Sequence, residues 1–340
     1  MTRSRWRQRL LALAGLSMAF LALGGAWLAY ELTRPMQVTD PPQYLEIEPG
    51  ASLRRVTDEL QDRGWLSAGG ALGARLYGRL TGLAGALHTG EYAVEADMSA
   101  RRLLHRIVAG DVVLHQITVI EGWTFDRMRR ALREHDAVTH TLEGVETGSI
   151  MEELGLAGEH PEGRFFPTTY SFPRGTEDRQ ILRLAYRKME ERLAAAWAER
   201  QPDLPLAGPY EALILASLIE QEVARPEERR KVAGVFIRRL ERGMRLQTDP
   251  SVIYGLGDEY DGRLRRDDLR RADPYNTYQH RGLPPTPIAL PGAASLEAAV
   301  DPAHGEALYF VARGDGTHHF SATLEEHREA VQRYIRGEKP

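Results

Sequence analysis

The chain has 340 residues, of which 42% are hydrophobic and 27% charged, enough for a membrane segment and two modest domains. Its formal net charge of −4 gives no electrostatic case for nucleic acid, since the arginines are scattered or gathered at the N-terminus. The absence of cysteine excludes disulfides, zinc-thiolate sites and thiol nucleophiles, and suits an oxidising compartment.

Arg3, Arg5, Arg7 and Arg9 precede an uncharged run from Leu10 to Tyr30, 21 residues long. As a helix this run spans about 30 Å of hydrocarbon. Trp27 and Tyr30 read as an interfacial belt, and the run exceeds a signal peptide's apolar region, so a retained anchor is expected. The arginines place residues 1–9 in the cytoplasm and everything after Glu31 outside it. Residues 31–42, with Pro35, Pro41 and Pro42, read as a short tether.

From Tyr44 the pattern changes to short elements. Tyr44 to Ile47 alternates like a strand, and Ser52 caps a helix with Leu53, Val56 and Leu60 inward that stops at Gly64. A glycine-interrupted helix follows from Ser67 to Leu80, then a turn and strand from His88 to Val94. Ser99 caps a third helix through Val108, and Val112 to Ile120 reads as a strand. The order strand, helix, helix, strand over residues 43–118 resembles a LysM-like module, the small fold that lies against N-acetylglucosamine-containing glycans. Tyr44, Trp65, Tyr77 and Tyr92 are either sugar-stacking rings or core.

Thr124 caps a helix with the stripe Phe125, Met128 and Leu132. Residues 162–173 pack four aromatics and two prolines into twelve positions without a period, which predicts a rigid loop and a candidate cleft wall. Ile181 to Arg200 is a patterned helix that should pack against the run Leu213-Ile-Leu-Ala-Ser-Leu-Ile219. That run is apolar all round, so it belongs in a core, and it ends in Glu220 and Glu222. At about 100° per residue these two acids point roughly 200° apart and cannot face one another. Glu222 shares its face with Leu215, Leu218 and Ile219, an apolar wall that raises a carboxyl pKa toward that of a usable general acid. Ordinary pairing with Arg225, Arg229 or Arg230 is the alternative for either acid.

After a helix over 227–242 the chain turns polar and aromatic on proline-stiffened loops: Gln247, Thr248 and Asp249, then Tyr254, then Tyr275, Asn276, Thr277 and Tyr278. Paired donors and acceptors beside flat rings suit a carbohydrate site. Leu308 to Phe320 reads as a hairpin and Leu324 to Ile335 as a closing helix. There is no His-Glu-x-x-His, no phosphate loop and no Gly-x-Ser-x-Gly, and the adjacent His318 and His319 would point apart in a strand, so no metal and no cofactor is expected.

Leu-Ile-Glu-Gln-Glu222, Met-Arg-Leu-Gln-Thr-Asp-Pro250, Val-Ile-Tyr-Gly255, Tyr-Asn-Thr-Tyr278, Gly-Leu-Pro-Pro285, Leu-Tyr-Phe-Val311 and His-His-Phe320 stand in the order and spacing that resemble the endolytic murein transglycosylases of the YceG-like, or MltG, type. The resemblance implies an α+β chain: a transmembrane helix at 10–30, the LysM-like module, and a mixed α+β catalytic domain at 119–340. It implies a lytic transglycosylase of the cell inner membrane, with its catalytic domain in the periplasm. Such an enzyme cuts the MurNAc-GlcNAc bond of nascent peptidoglycan strands and leaves 1,6-anhydroMurNAc ends, with peptidoglycan synthases as neighbours. The family's catalytic acid maps onto Glu222, and Glu220, Gln247, Thr248, Asp249, Tyr254, Tyr275, Asn276, Thr277 and Tyr278 are the candidate substrate-binding residues. Val223 stands where many other lytic transglycosylases have Ser, which leaves the hydrogen-bond partner of Glu222 open among Gln247, Tyr254, Asn276 and Thr277. A non-catalytic glycan-binding scaffold and a murein hydrolase using Asp249 as second carboxylate are the rival readings.

Overall fold

The computed structural model describes residues 2–337, without the side chains of residues 2–5 and 9, so the charges of Arg3, Arg5 and Arg9 lie outside it. The chain opens on α1 (Thr2–Thr33), whose segment Trp6–Thr33, 28 residues with mean hydropathy 1.9, is long and apolar enough to cross a membrane. The described residues divide into two compact units, Met1–His115 with Phe172–Gly175, and Gln116–Ser171 with Thr176–Pro340.

In the first unit β1 (Gln43–Ile47) is followed by α2 (Leu53–Asp62), α3 (Ala68–Leu80), β2 (Gly90–Val94) and α4 (Ala100–Ala109). The strands pair antiparallel, with Leu45 opposite Tyr92. Ser52, Ser67 and Ser99 each accept from the third helical N–H, at 3.3, 3.0 and 3.3 Å, which satisfies one orphan donor per helix start. Gly110 (φ 66) ends α4 in the left-handed region. Leu45, Tyr92, Met98, Leu103 and Ile107 are almost fully buried, and Trp65 joins this core, whereas Tyr44 is exposed. The stretch read as a tether is partly docked: Leu32 and Met36 are core residues, and the Met36 and Gln37 N–H groups donate to the Met98 and Trp65 carbonyls. Two apolar side chains in a short connection are enough to draw it onto the unit.

The chain continues through β3 (Leu114–Thr118), α5 (Phe125–Arg133), β4 (Val138–Thr139), α6 (Ile150–Glu153), β5 (Thr169–Pro173) and β6 (Thr176–Glu177) into α7 (Asp178–Ala198) and α8 (Pro209–Glu222). Next come α9 (Arg229–Glu241), α10 (Asp249–Leu256), α11 (Ala293–Val300), the hairpin β7 (Tyr309–Ala312) with β8 (His318–Ser321), and α12 (Leu324–Tyr334). In the second unit α8 is the central rod. Every residue from Ala212 to Ile219 is buried, with α7, α9, α10 and α11 packed around it. Each buried leucine or isoleucine there contributes about 1.5–3 kcal/mol. Ser217, the one polar residue between Ala212 and Ile219, donates to the Ile214 carbonyl (2.7 Å) and accepts from Ile288 N–H (3.0 Å).

Three elements depart from the sequence reading. Residues 169–173, taken as loop, form β5, where Tyr170 and Phe172 are buried between exposed neighbours, a period of two that the clustered aromatics obscured. Residues 249–256, also taken as loop, form α10, for which Pro250 supplies a first-turn proline without an N–H to satisfy. The third is α11, unanticipated because Ala-Ala-Ser-Leu-Glu-Ala-Ala-Val is buried on most sides and shows no amphipathic stripe.

Candidate active site

Helix α8 ends at Glu222 because Val223 turns extended (φ −112, ψ 112). Its last turn carries the two acids to different surroundings. Glu220 accepts from Gly292 N–H at 3.0 Å and from Arg229 Nη2 at 3.3 Å, and Arg229 Nε in turn donates to Ser295 Oγ at 3.1 Å. With its side chain only 7% exposed, Glu220 is an ion-paired tie between α8, α9 and the loop before α11. Gln221 Nε2 donates to the Gly122 carbonyl at 2.6 Å, and backbone bonds join Gly122 and Trp123 to Leu290. The Glu121 carboxyl lies in the same knot, its pKa raised by burial and then by the Glu220 charge.

Glu222 is half-buried and, among the described residues, no arginine forms a salt bridge with it. Burial pushes its carboxyl up to about 7, with the Asp249 charge adding to the rise, while the Thr248 hydroxyl and His318 pull the other way. The hydroxyl of Thr248 donates to Glu222 Oε1, so the partner left open by the sequence is Thr248 and none of Gln247, Tyr254, Asn276 or Thr277. Although Thr248 stands at the N-cap of α10, its side chain does not cap that helix.

The residues behind Thr248 explain its fixed position. Thr248 N–H donates to Thr277 Oγ1 (3.0 Å), Ser251 Oγ lies 2.9 Å from that same oxygen, and Ser251 Oγ donates to the Thr248 carbonyl at 2.8 Å. Thr248, Ser251, Asn276 and Thr277 are all buried, and Asn276 spends its amide on the Asp268 and Arg271 carbonyls and on Tyr278 N–H. Gln247 and Asp249 flank Thr248 with exposed side chains, and Asp249 accepts from the Tyr278 hydroxyl at 2.6 Å.

The rings of Tyr254 and Tyr275 meet edge to face with centroids 4.9 Å apart, and the Tyr275 hydroxyl lies 2.9 Å from Thr286 Oγ1. Tyr254 donates to Glu162 Oε2 at 3.2 Å, and Phe125 N–H donates to Glu162 Oε1 at 2.9 Å. Glu162 is 4% exposed, and burial lifts its pKa to about 7, so the unit holds a second acid that keeps its proton near neutrality. Sequence reasoning missed it. The available signal was a glutamate at the head of a proline- and phenylalanine-rich stretch, a poor place for a carboxylate to find water.

His318 of β8 points Nδ1 at Glu228 Oε2 (2.7 Å), while its backbone N–H donates to both Glu228 oxygens at 3.1 Å. His319 turns to the Tyr334 ring instead, 5.5 Å away, so the two histidines have different neighbours. Of the two carboxyls in the second unit that burial pushes up to about 7, Glu162 is almost fully buried, whereas Glu222 is half-buried and has the Thr248 hydroxyl to stabilise its anion. That arrangement can donate a proton near pH 7 and take one back.

The chain belongs to the YceG-like family, whose sequence profile matches residues 45–333. Among its relatives, an endolytic murein transglycosylase of Bacillus subtilis is 29% identical over 335 residues, covering 93% of this chain and 91% of the relative. An endolytic murein transglycosylase of Streptococcus pneumoniae is 26% identical over 283 residues, covering 73% of this chain and 51% of the relative. The crystal structure of a YceG-like protein from Listeria monocytogenes superposes with a TM-score of 0.53 at 28% identity, covering 86% of this chain and all of that one.

Proposed function

We propose that this protein is a membrane-anchored endolytic lytic transglycosylase that cleaves the MurNAc-GlcNAc bond of nascent peptidoglycan with Glu222 as its catalytic acid. The observation that carries the reading is the state of Glu222: a half-buried carboxyl at the end of a core helix, held near pKa 7 and hydrogen-bonded by a single hydroxyl. Protonated Glu222 donates to the glycosidic oxygen as that bond breaks. The resulting carboxylate, stabilised by Thr248, removes the proton of the C6 hydroxyl as that oxygen attacks C1, which closes the 1,6-anhydro ring without consuming water. An ordinary glycosidase needs a second carboxylate at defined separation, which this intramolecular route does without.

Gln247, Asp249 and the tyrosines 254, 275 and 278 are the glycan-facing candidates in this scheme. Thr277 acts through Thr248, Asn276 through the loop it holds at Asp268, Arg271 and Tyr278, and Glu220 through the loops it ties. The strand, helix, helix, strand order of β1, α2, α3 and β2 supports a LysM-like glycan-holding module at 43–118, ahead of a catalytic domain at 119–340. Helix α1 is the single-pass anchor in the inner membrane, with its N-terminus in the cytoplasm and everything after Glu31 in the periplasm. Mass spectrometry of murein digested by the purified protein tests the reading. Ends lighter by one water than a reducing sugar are expected; reducing ends would assign a hydrolase with Asp249 as second carboxylate, and intact strands a binding scaffold.

A further inference from the structure

Helix α3 lies against the exported end of α1. A Cβ placed on Gly70 would come 3.2 Å from Glu31 Oε2, on Gly69 3.0 Å from Trp27 Cζ2, and on Gly73 3.1 Å from Leu28 Cδ1. Ser67 Oγ, at the start of α3, donates to Glu31 Oε2 at 3.1 Å, whereas Gly73, six residues further on, meets Leu28, three residues earlier in α1, so α3 heads back toward the apolar span. From Gly73 to Leu80 is seven residues, about 10 Å along the axis at the α-helical rise, or roughly 6–10 Å along α1 for the common crossing angles. Leu28, level with Gly73, already belongs to the uncharged run Leu10–Tyr30.

The side chains along this descent are apolar and uncovered. Leu72, Leu76 and Leu80 stand at i, i+4 and i+8 with exposures of 58%, 45% and 74%. From Leu80 to Leu87 the sequence Leu-Thr-Gly-Leu-Ala-Gly-Ala-Leu has no charge. Arg79, at the edge of the stripe, is exposed and long enough to keep its guanidinium in the headgroups while its stem lies in apolar surroundings. A leucine stripe is costly in water, and depths of about 5–10 Å are where interfacial helices sit.

We infer that the C-terminal half of α3 and the turn after it, residues 76–87, dip into the outer leaflet beside α1, so that the first unit is seated in phospholipid and held by more than its anchor. This rests on α1 crossing the membrane. The seat fixes which face of the unit turns toward the glycan layer.

The chain has no cysteine, so single labels are unambiguous. The full chain carrying Phe20→Cys, Leu80→Cys or Leu114→Cys, each with an environment-sensitive fluorophore, is placed in vesicles of phosphatidylethanolamine and phosphatidylglycerol with doxyl-labelled phosphatidylcholine. All three sites are highly exposed side chains, so the labels do not disturb a core. The label at 80 is expected to emit blue-shifted and to be quenched by doxyl lipid several-fold more than the label at 114, approaching the label at 20. If 20 reports lipid while 80 matches 114 and is quenched by aqueous iodide, the seating is refuted and the anchor stands. A label at 20 in water refutes both.

Discussion

Replacing Thr248 with valine removes one hydroxyl and keeps the shape of the side chain, so it isolates the bond to Glu222. The backbone stays in place, because Thr248 N–H still reaches Thr277 Oγ1 and its carbonyl still accepts from Ser251. A hydrogen bond to a charged group is worth about 1.5–3 kcal/mol, and a pKa unit corresponds to about 1.4 kcal/mol. The bond favours the carboxylate, so its loss raises the Glu222 pKa, from about 7 by roughly one to two units. Donation to the glycosidic oxygen needs the protonated form, so kcat/KM falls on the alkaline side as Glu222 ionises. In Thr248→Val that alkaline limb should move up by the same one to two units, with a lower plateau because the weaker acid donates less readily. Thr248→Ser, which keeps the donor, should leave the limb where it is. The assay is the pH dependence of anhydro-end formation from defined glycan strands, with circular dichroism confirming the fold. A valine variant with an unshifted limb, or a serine variant shifted as far as the valine one, would refute the role of this hydroxyl.

Glu222→Gln should lose about 10²- to 10⁴-fold or more in turnover while remaining folded, whereas Glu220→Gln should lower the thermal midpoint by weakening the Arg229 pair and cost less activity; the opposite ranking in a murein-cleavage assay would reassign the acid. Glu162 gives a stability signature. Its folded pKa of about 7 lies above the ordinary 4.5, so as pH rises between those values the unfolded chain releases a proton that the folded chain keeps, and stability drops by up to about 3 kcal/mol before levelling off. Urea unfolding of Glu162→Gln at pH 5 and pH 8 should show a smaller pH-dependent loss than the parent chain; equal losses would mean that Glu162 is ionised in the fold.

What the sequence made legible was local. The wheel around Leu215, Leu218 and Ile219 set Glu222 apart from Glu220, and serine caps marked three helix starts, because both signals act within a turn or two of the residue concerned. The connections that complete the site run across the chain: Thr248 to Glu222 over 26 residues, Gly292 to Glu220 over 72, Tyr254 to Glu162 over 92. No periodicity encodes such pairings. Thr248 read as one more short polar side chain on a loop, and Asn276 and Thr277, equally polar, turned out to be buried inside it. Helix α11 escaped for a related reason: a helix wrapped on nearly all sides has no polar face to betray its period.

Arg239 is buried, and its guanidinium donates to the carbonyls of Leu308 (2.6 Å), Leu246 (2.8 Å) and Arg245 (3.1 Å), with Gln247 Oε1 at 3.4 Å. One planar cation thus clamps the segment leading to Thr248 and the start of the hairpin that carries His318. Three of its four acceptors are main chain, which every amino acid supplies. Positions 245, 246 and 308 can therefore drift in side-chain identity with little consequence for the clamp, while position 239 cannot accept even lysine, whose point charge reaches no such fork of oxygens. Mutational tolerance across this wall of the site should accordingly be lopsided: permissive at the residues being held, and close to nil at the one that holds them.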